Sequence, residues 1–411
     1  MARSVPLALV LAAWFVTAAG NRAVAQQPAP DTGNIYPLAR DYAVSHAPEL
    51  SYLARDWPDT EQWRIRARAK MQELLGYDTN AAALDPVVYE TIQRTGYTCR
   101  RVSYAVAPGR RTEAFVLVPD NLDGPAPAVI ALHDHGGFYF FGKEKHTLTD
   151  NPPEPLKRHI DRSYGGRQYA DELVRHGFVV LCPDAFYFGS QRIDDTSVSE
   201  RVKRDYPGLS SDEPGEHINA FNRFASQMEQ LTAKTLFTAG TTWPGILFQG
   251  DRASVDYLLT LPEVDPGRIG CMGLSIGGFR SAHLFGLDPR IGAAVVAGWM
   301  TTYDSLLFDD LLWHTWMIYV PRQFGFLDLP DVASLNAPRP LMVINCLQDT
   351  LFPIEGMNGA ERKLTAVYGK MGAPDHFKCN YYDVPHSLDV RMQDDAIAWL
   401  EQWLKSPGKS R

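Results

Sequence analysis

Residues 268–278, RIGCMGLSIGG, carry an apolar run straight into a Gly-x-Ser-x-Gly pattern, and that junction restricts the fold more than any other part of the chain. The pattern describes a strand that turns sharply into a helix with Ser275 at the apex, a nucleophile elbow. Side chains at Gly273 or Gly277 would collide with backbone in so tight a bend, so the serine hydroxyl is left standing clear of the sheet. A plain glycine turn with a solvated serine would share the pattern, but the flanks suit the elbow. PEVDPG before it reads as a helix end and a Pro-Gly turn, and FRSAHLFGL after it reads as a helix.

A serine hydroxyl is a weak nucleophile at neutral pH, so it needs a base to take its proton and an acid to orient that base. In the chain order Ser, Asp/Glu, His, both appear downstream. PRPLMVINCLQDTLFP is a proline-bounded apolar strand whose end delivers Asp349, and KCNYYDVPHSLD is a strand whose following loop delivers His386. Taken alone, Asp349 reads equally as a turn or N-cap residue and His386 as an ordinary loop histidine. Asp383 is a rival acid, but three residues from His386 is too near to approach the ring from behind. Asp389 is expected to cap the last helix, VRMQDDAIAWLEQWL.

The oxyanion formed on attack requires backbone N–H donors. The Ile276 amide, directly after the serine, is one. The second is expected from PAPAVIALHDHGGFYF, where a buried strand ends at His133 and opens into Asp134-His135-Gly136-Gly137. The His135 amide is favoured; if His135 is instead the anchor residue, the donor is Gly137. His133, Asp134 and His135 also admit a metal-dependent hydrolase, since His-x-His beside a carboxylate can ligate zinc or iron. His146, His159 and His217 add no recognisable ligand spacing to them.

The periodicity predicts strands at about 97–106, 113–118, 127–133, 177–183, 268–274, 292–298, 340–347 and 378–384, with helices between most of them. This alternation implies an α/β fold with a mostly parallel sheet covered on both faces. The first two strands are expected to form an antiparallel hairpin at one edge. TEQWRIRARAKMQELLGY is expected to be an amphipathic helix with Trp63, Ile65, Met71, Leu74 and Leu75 as its apolar stripe. Two insertions, 186–242 and 299–336, interrupt the alternation and are expected to shape substrate choice. In the second, Trp299, Trp313, Trp316, Tyr319 and Phe324 are either packing residues or faces on which a sugar or aryl group stacks. Asp184 could be structural or touch substrate.

Strand–HDHGG–helix, GLSIGG, QD at a strand end and PH before the last helix together resemble the α/β-hydrolases. Residues 97–404 are similar, more narrowly, to the dienelactone hydrolase-like and acetyl xylan esterase-like branch. The resemblance implies an α/β-hydrolase fold with helical insertions. It also implies Ser275 as nucleophile, Asp349 as acid, His386 as base and the His133–Gly137 loop as oxyanion turn. Members with a cysteine nucleophile have a different elbow, so Ser275 points to ordinary ester hydrolysis. The expected enzyme is a carboxylesterase acting through an acyl-enzyme on small acyl, especially acetyl, esters, including those of carbohydrates. It calls for no cofactor. A serine exopeptidase or amidase would share the triad, and a catalytically silent binding protein would share the fold.

Arg3, the apolar VPLALVLAAWFVTAAG and the small residues Ala23-Val24-Ala25 predict a secretory signal peptide over 1–25, cleaved after Ala25. Its apolar run is shorter than the roughly 20 residues of a membrane span. Residues 26–60 are expected to be an N-terminal tail and lead-in that starts with a disordered QQPAPDTGN, and 61–411 a single catalytic domain in a secreted or periplasmic protein. A net charge of −8 argues against nucleic acid as a partner. Cys182, Cys271 and Cys346 read as buried strand residues; whether Cys99 and Cys379 pair is left open.

Overall fold

The computed structural model describes residues 29–77, 82–205, 209, 211–308 and 310–406. The segment read as a signal peptide lies outside these residues. Among the described residues nine strands form one sheet: β1 (Val87–Arg94), β2 (Tyr97–Ala107), β3 (Arg110–Pro119), β4 (Ala126–Leu132), β5 (Val179–Pro183), β6 (Val264–Leu274), β7 (Ile291–Ala297), β8 (Leu341–Cys346) and β9 (Phe377–Tyr382). Their spatial order is β1-β2-β3-β5-β4-β6-β7-β8-β9. The pairs from β1 through β5 are antiparallel, and every pair from β5 to β9 is parallel.

Burial on both faces explains why the central strands read as unbroken apolar runs. Every residue of β4, β7 and β8 is buried, yet the pleat still divides them. Ala128, Ile130 and Leu132 enter one core, while Val129 and Ala131 enter the other. Helices Thr60–Leu75, Trp243–Leu258, Ile276–Leu287 and Ile354–Lys370 pack on the first face. Helices Glu154–Tyr164, Tyr169–Arg175 and Val390–Leu404 cover the second. The chain leaves β4 toward β5 on one side and returns to β6 on the other, so β4/β6 is a topological switch point. Open α/β sheets place their sites at the carboxyl ends of the strands beside such a point.

Three sequence expectations are corrected. The β2–β3 hairpin forms, but it is not the edge, because β1 pairs outside it. β1 went unread because most of its residues are exposed and no apolar face marks it. In helix Thr60–Leu75 the buried positions are Trp63, Ala67, Met71 and Leu75, a regular i, i+4 stripe. Ile65 is 60% exposed, since two residues past Trp63 the helix has turned about 200°. The end of the tail expected to be disordered forms a turn at Gly33–Ile35, followed in the lead-in by a helix at Tyr36–Ser45, and the Asp31 N–H donates to the Phe308 carbonyl at 3.0 Å.

Cys99 lies on β2 and Cys379 on β9, with six strands between them. At about 4.8 Å per strand the two thiols are too far apart to pair, and all five cysteines are free. The long helix Pro214–Thr238 dominates the first insertion, and short helical turns make up most of the second. Among the described residues no helix is long and apolar enough to cross a membrane.

Candidate active site

Ser275 ends β6 and begins helix Ile276–Leu287 with φ 61° and ψ −119°, a backbone region that side chains other than glycine's avoid. Its N–H donates to the Ala297 carbonyl at 2.9 Å, which ties the apex of the turn to the end of β7. Both flanking glycines are required by contact. A Cβ on Gly273 would lie 2.4 Å from the Leu132 carbonyl oxygen, and one on Gly277 only 2.1 Å from it.

The end of β8 is extended by hydrogen bonds from Leu347 N–H to Tyr382 O (2.8 Å) and Gln348 N–H to Val384 O (3.1 Å), which carry Asp349 to the rim. Its fully buried carboxylate makes two contacts. Oδ2 accepts from His386 Nδ1 at 2.6 Å, and Oδ1 accepts from the Leu351 N–H at 2.9 Å. One oxygen of this carboxylate thus makes the turn contact and the other meets the His386 ring. His386 Nε2 is buried and has no hydrogen-bond partner among the described residues. The ring sits over the end of β7, where a Cβ on Gly298 would approach His386 Cε1 to 3.0 Å. Ser275 and His386 line one cavity of about 660 Å³. Asp383 instead accepts from the Gln348 amide at 3.0 Å, and Asp389 caps the last helix, accepting from the Met392 N–H.

The His133–Gly137 loop is held by buried polar groups. His133 Nε2 accepts from the Ala185 N–H at 3.1 Å, so its Nδ1 carries the proton donated to the Asp134 carbonyl at 2.9 Å. Burial, aided by the Lys145 charge, keeps this ring neutral, with its pKa well below the usual value. Asp134 Oδ1 accepts from Tyr164 OH (2.7 Å) and His159 Nε2 (3.0 Å). Burial pushes the Asp134 carboxyl up, but His159, Lys145 and these hydrogen bonds outweigh it and hold the pKa well below the ordinary range. His135 Nδ1 accepts from the Gly137 N–H at 3.0 Å and its Nε2 donates to Glu229 Oε1 at 2.8 Å. The Gly137 amide is therefore engaged. Among the described residues the His135 amide meets no acceptor.

With His133, Asp134 and His135 each committed to protein partners, no shared ligand set converges here. Among the described residues no group of three or more His, Cys, Asp or Glu side chains is arranged to hold a metal. Asp184 is structural: it is buried and accepts from the Lys143 N–H (2.7 Å), Lys143 Nζ (2.9 Å) and the Ser190 N–H (2.8 Å).

Of the aromatics singled out in the second insertion, Trp299 and Trp313 line the cavity. Trp299 is buried against Phe279 and Phe352, whereas Trp313 is 71% exposed at the rim. Trp316 and Tyr319 are not among the lining residues; they pack on one another, and the Trp316 N–H donates to Glu229 Oε2 at 2.9 Å. Phe324 packs on Tyr303 and lines a separate groove. Three residues that sequence reasoning passed over belong to the site. Glu229 ties His135, Tyr139, Thr315 and Trp316 together. Lys145, fully buried, donates to the Asp134 carbonyl (2.7 Å) and the His135 carbonyl (3.2 Å). His314 lies in the cavity wall. Only His314, between two tryptophans already under suspicion, had a signal in the sequence.

The sequence pattern of the dienelactone hydrolase family matches residues 165–394, and that of an Abhydrolase family matches residues 45–148. The Bacillus subtilis (strain 168) protein YtaP, named as a hydrolase, is 27% identical over 295 residues, covering 72% of this chain and 84% of its own. A structure from Bacteroides fragilis NCTC 9343 titled as an acetyl xylan esterase superposes with a TM-score of 0.64 at 19% identity, over 84% of this chain and 82% of that one. A glucuronoyl esterase from Solibacter usitatus gives 0.57 at 14% identity, over 87% and 97%. At such identities the superpositions speak for a common α/β-hydrolase fold. The sequence match spans more than half the chain and takes in the elbow, the end of β8 and the loop of His386: the chain belongs to the dienelactone hydrolase family.

Proposed function

We propose that this protein is a serine carboxylic-ester hydrolase that works through an acyl-enzyme on small acyl esters, including acetyl esters of carbohydrates. The observation that carries the reading is one cavity bounded by a serine on a strained elbow and by a histidine whose far nitrogen is held by a buried carboxylate. Asp349 keeps the proton on His386 Nδ1, which leaves Nε2 free to accept the Ser275 proton during attack and return it to the leaving alcohol. A water activated by the same nitrogen then releases the acid. Catalytic contacts in unliganded enzymes are often loose and tighten with substrate, which fits an Nε2 that has no partner here. Residues 1–25, read as a leader, make this an exported enzyme.

The charge on the tetrahedral intermediate would fall to the amides of Ile276 and His135. In a trans peptide the C=O and N–H point in opposite directions. By drawing the Asp134 carbonyl toward its own buried ammonium, Lys145 turns the His135 N–H away from itself, and we assign it as a positioning residue. Lys145→Met is expected to lower kcat by about 10- to 100-fold, less than the roughly 100- to 1000-fold for losing one oxyanion donor outright because the donor is misaligned rather than removed, while KM changes little. A fall in kcat no larger than the loss of folded protein seen by thermal melting would reduce Lys145 to a packing role.

The reading as a whole is tested by treating the protein with a fluorophosphonate and locating the adduct by mass spectrometry, alongside turnover of p-nitrophenyl esters and aminoacyl anilides. One adduct on Ser275, lost in Ser275→Ala, and ester turnover that falls with chain length are expected. Anilides cleaved faster than esters, or full ester turnover in Ser275→Ala, would overturn it.

A further inference from the structure

His314 belongs to the second insertion, between Trp313 and Thr315, and its ring faces Phe352 at 4.9 Å, which in turn lies 6.0 Å from His386. It is therefore a single aromatic ring removed from the proposed base, and all three residues line the same cavity. Its Nε2 is buried and has no hydrogen-bond partner among the described residues. Such an atom is costly to leave unmatched, and a polar side chain in a cavity wall is what fixes a ligand's orientation.

The ring's chemistry decides what it can bind. Burial pushes the His314 pKa down to about 4, against a smaller upward effect of a hydrogen bond with the Leu351 backbone. At neutral pH the imidazole is uncharged and carries one proton. A backbone hydrogen bond that raises the pKa is one in which the ring donates, and because Nε2 is unpartnered the donor is Nδ1. The remaining nitrogen, Nε2, then presents a lone pair, and its match is a neutral O–H or N–H rather than an anion. Beside it Trp313 offers an exposed indole at the rim, a surface suited to the apolar face of a saturated ring.

Resting on the esterase reading, we infer that His314 Nε2 accepts a hydrogen bond from a hydroxyl neighbouring the scissile ester, so that the site selects monoesters of polyols and sugars over esters of plain alcohols. The assignment concerns binding and orientation of the alcohol portion; no proton is transferred at His314.

Two probes that differ by one hydroxyl test it: cyclohexyl acetate and trans-2-hydroxycyclohexyl acetate, with p-nitrophenyl acetate as a common reference. The wild-type protein is expected to favour the hydroxy ester in kcat/KM by roughly tenfold or more, the scale of a hydrogen bond to an otherwise unmatched buried group. His314→Phe preserves a ring against Phe352 but has no acceptor, and the preference is expected to fall to about twofold or less. His314→Asn retains an acceptor and is expected to keep part of it. Equal rates for the two esters in the wild type, or a preference unaltered in His314→Phe, would overturn the inference. Failure of the esterase reading looks different: p-nitrophenyl acetate would not be turned over and Ser275 would take no fluorophosphonate.

Discussion

Asp349→Asn is expected to lower kcat on p-nitrophenyl acetate by about 10⁴-fold with the fold intact, the scale set when an orienting carboxylate becomes an amide. The reason is the division of labour between its two oxygens. Oδ1 accepts from the Leu351 N–H and Oδ2 from His386 Nδ1. Asparagine has one oxygen and one NH₂, and the backbone donor at Leu351 claims the oxygen. The NH₂ then faces Nδ1, which must become an acceptor, and the ring proton moves to Nε2. With that nitrogen already protonated, Ser275 has no base. Fluorophosphonate labelling of Ser275 should slow in step with kcat, while the melting temperature moves little because both hydrogen bonds are replaced rather than lost. A loss below tenfold would remove Asp349 from the mechanism and return attention to Asp383, which bonds Gln348.

The elements that the sequence disclosed are those whose local chemistry and global position agree. β4, β7 and β8 are buried on both faces and therefore read as apolar runs; the elbow is legible because backbone contacts at Gly273 and Gly277 exclude any side chain. Asp349 and His386 could be picked out as candidates because the order Ser, Asp, His at strand ends is the order an elbow serine calls for, and the fold joins the two at 2.6 Å. What stayed hidden depends on long-range pairing. β1 is mostly exposed, so only its hydrogen bonds to β2 define it. Glu229 and Lys145 look like ordinary charged residues, and only the fold brings one to His135 and encloses the other beneath the Asp134 carbonyl. Trp313 and Trp316 are near neighbours in one insertion, yet only Trp313 lines the cavity.

Stability should respond most to the buried pair behind the elbow. Arg280 lies on helix Ile276–Leu287 and meets Asp251 of helix Trp243–Leu258 through Nε (3.0 Å) and Nη2 (2.5 Å), with both side chains almost wholly buried. Arg280→Met keeps much of the side-chain length but strands the carboxylate, and removing one partner of such a pair costs about 3–5 kcal/mol. For a chain of this size that is a fall in Tm of roughly 4–6 °C. The penalty should depend on pH in a set direction. Burial already raises the Asp251 pKa against the pull of Arg280, and without the guanidinium it rises further. The folded variant then holds a proton that the unfolded chain releases, so its stability falls as pH rises and recovers on acidification. At pH 5 the gap to wild type should be visibly smaller than at pH 8. Arg280→Met combined with Asp251→Leu removes the stranded charge and should restore most of the loss. Because Arg280 is on the helix that starts at Ser275, the double variant also separates two roles. Turnover that returns with Tm makes the pair a scaffold for the elbow. Turnover that stays low would mean that the pair sets the angle at which the helix presents Ser275.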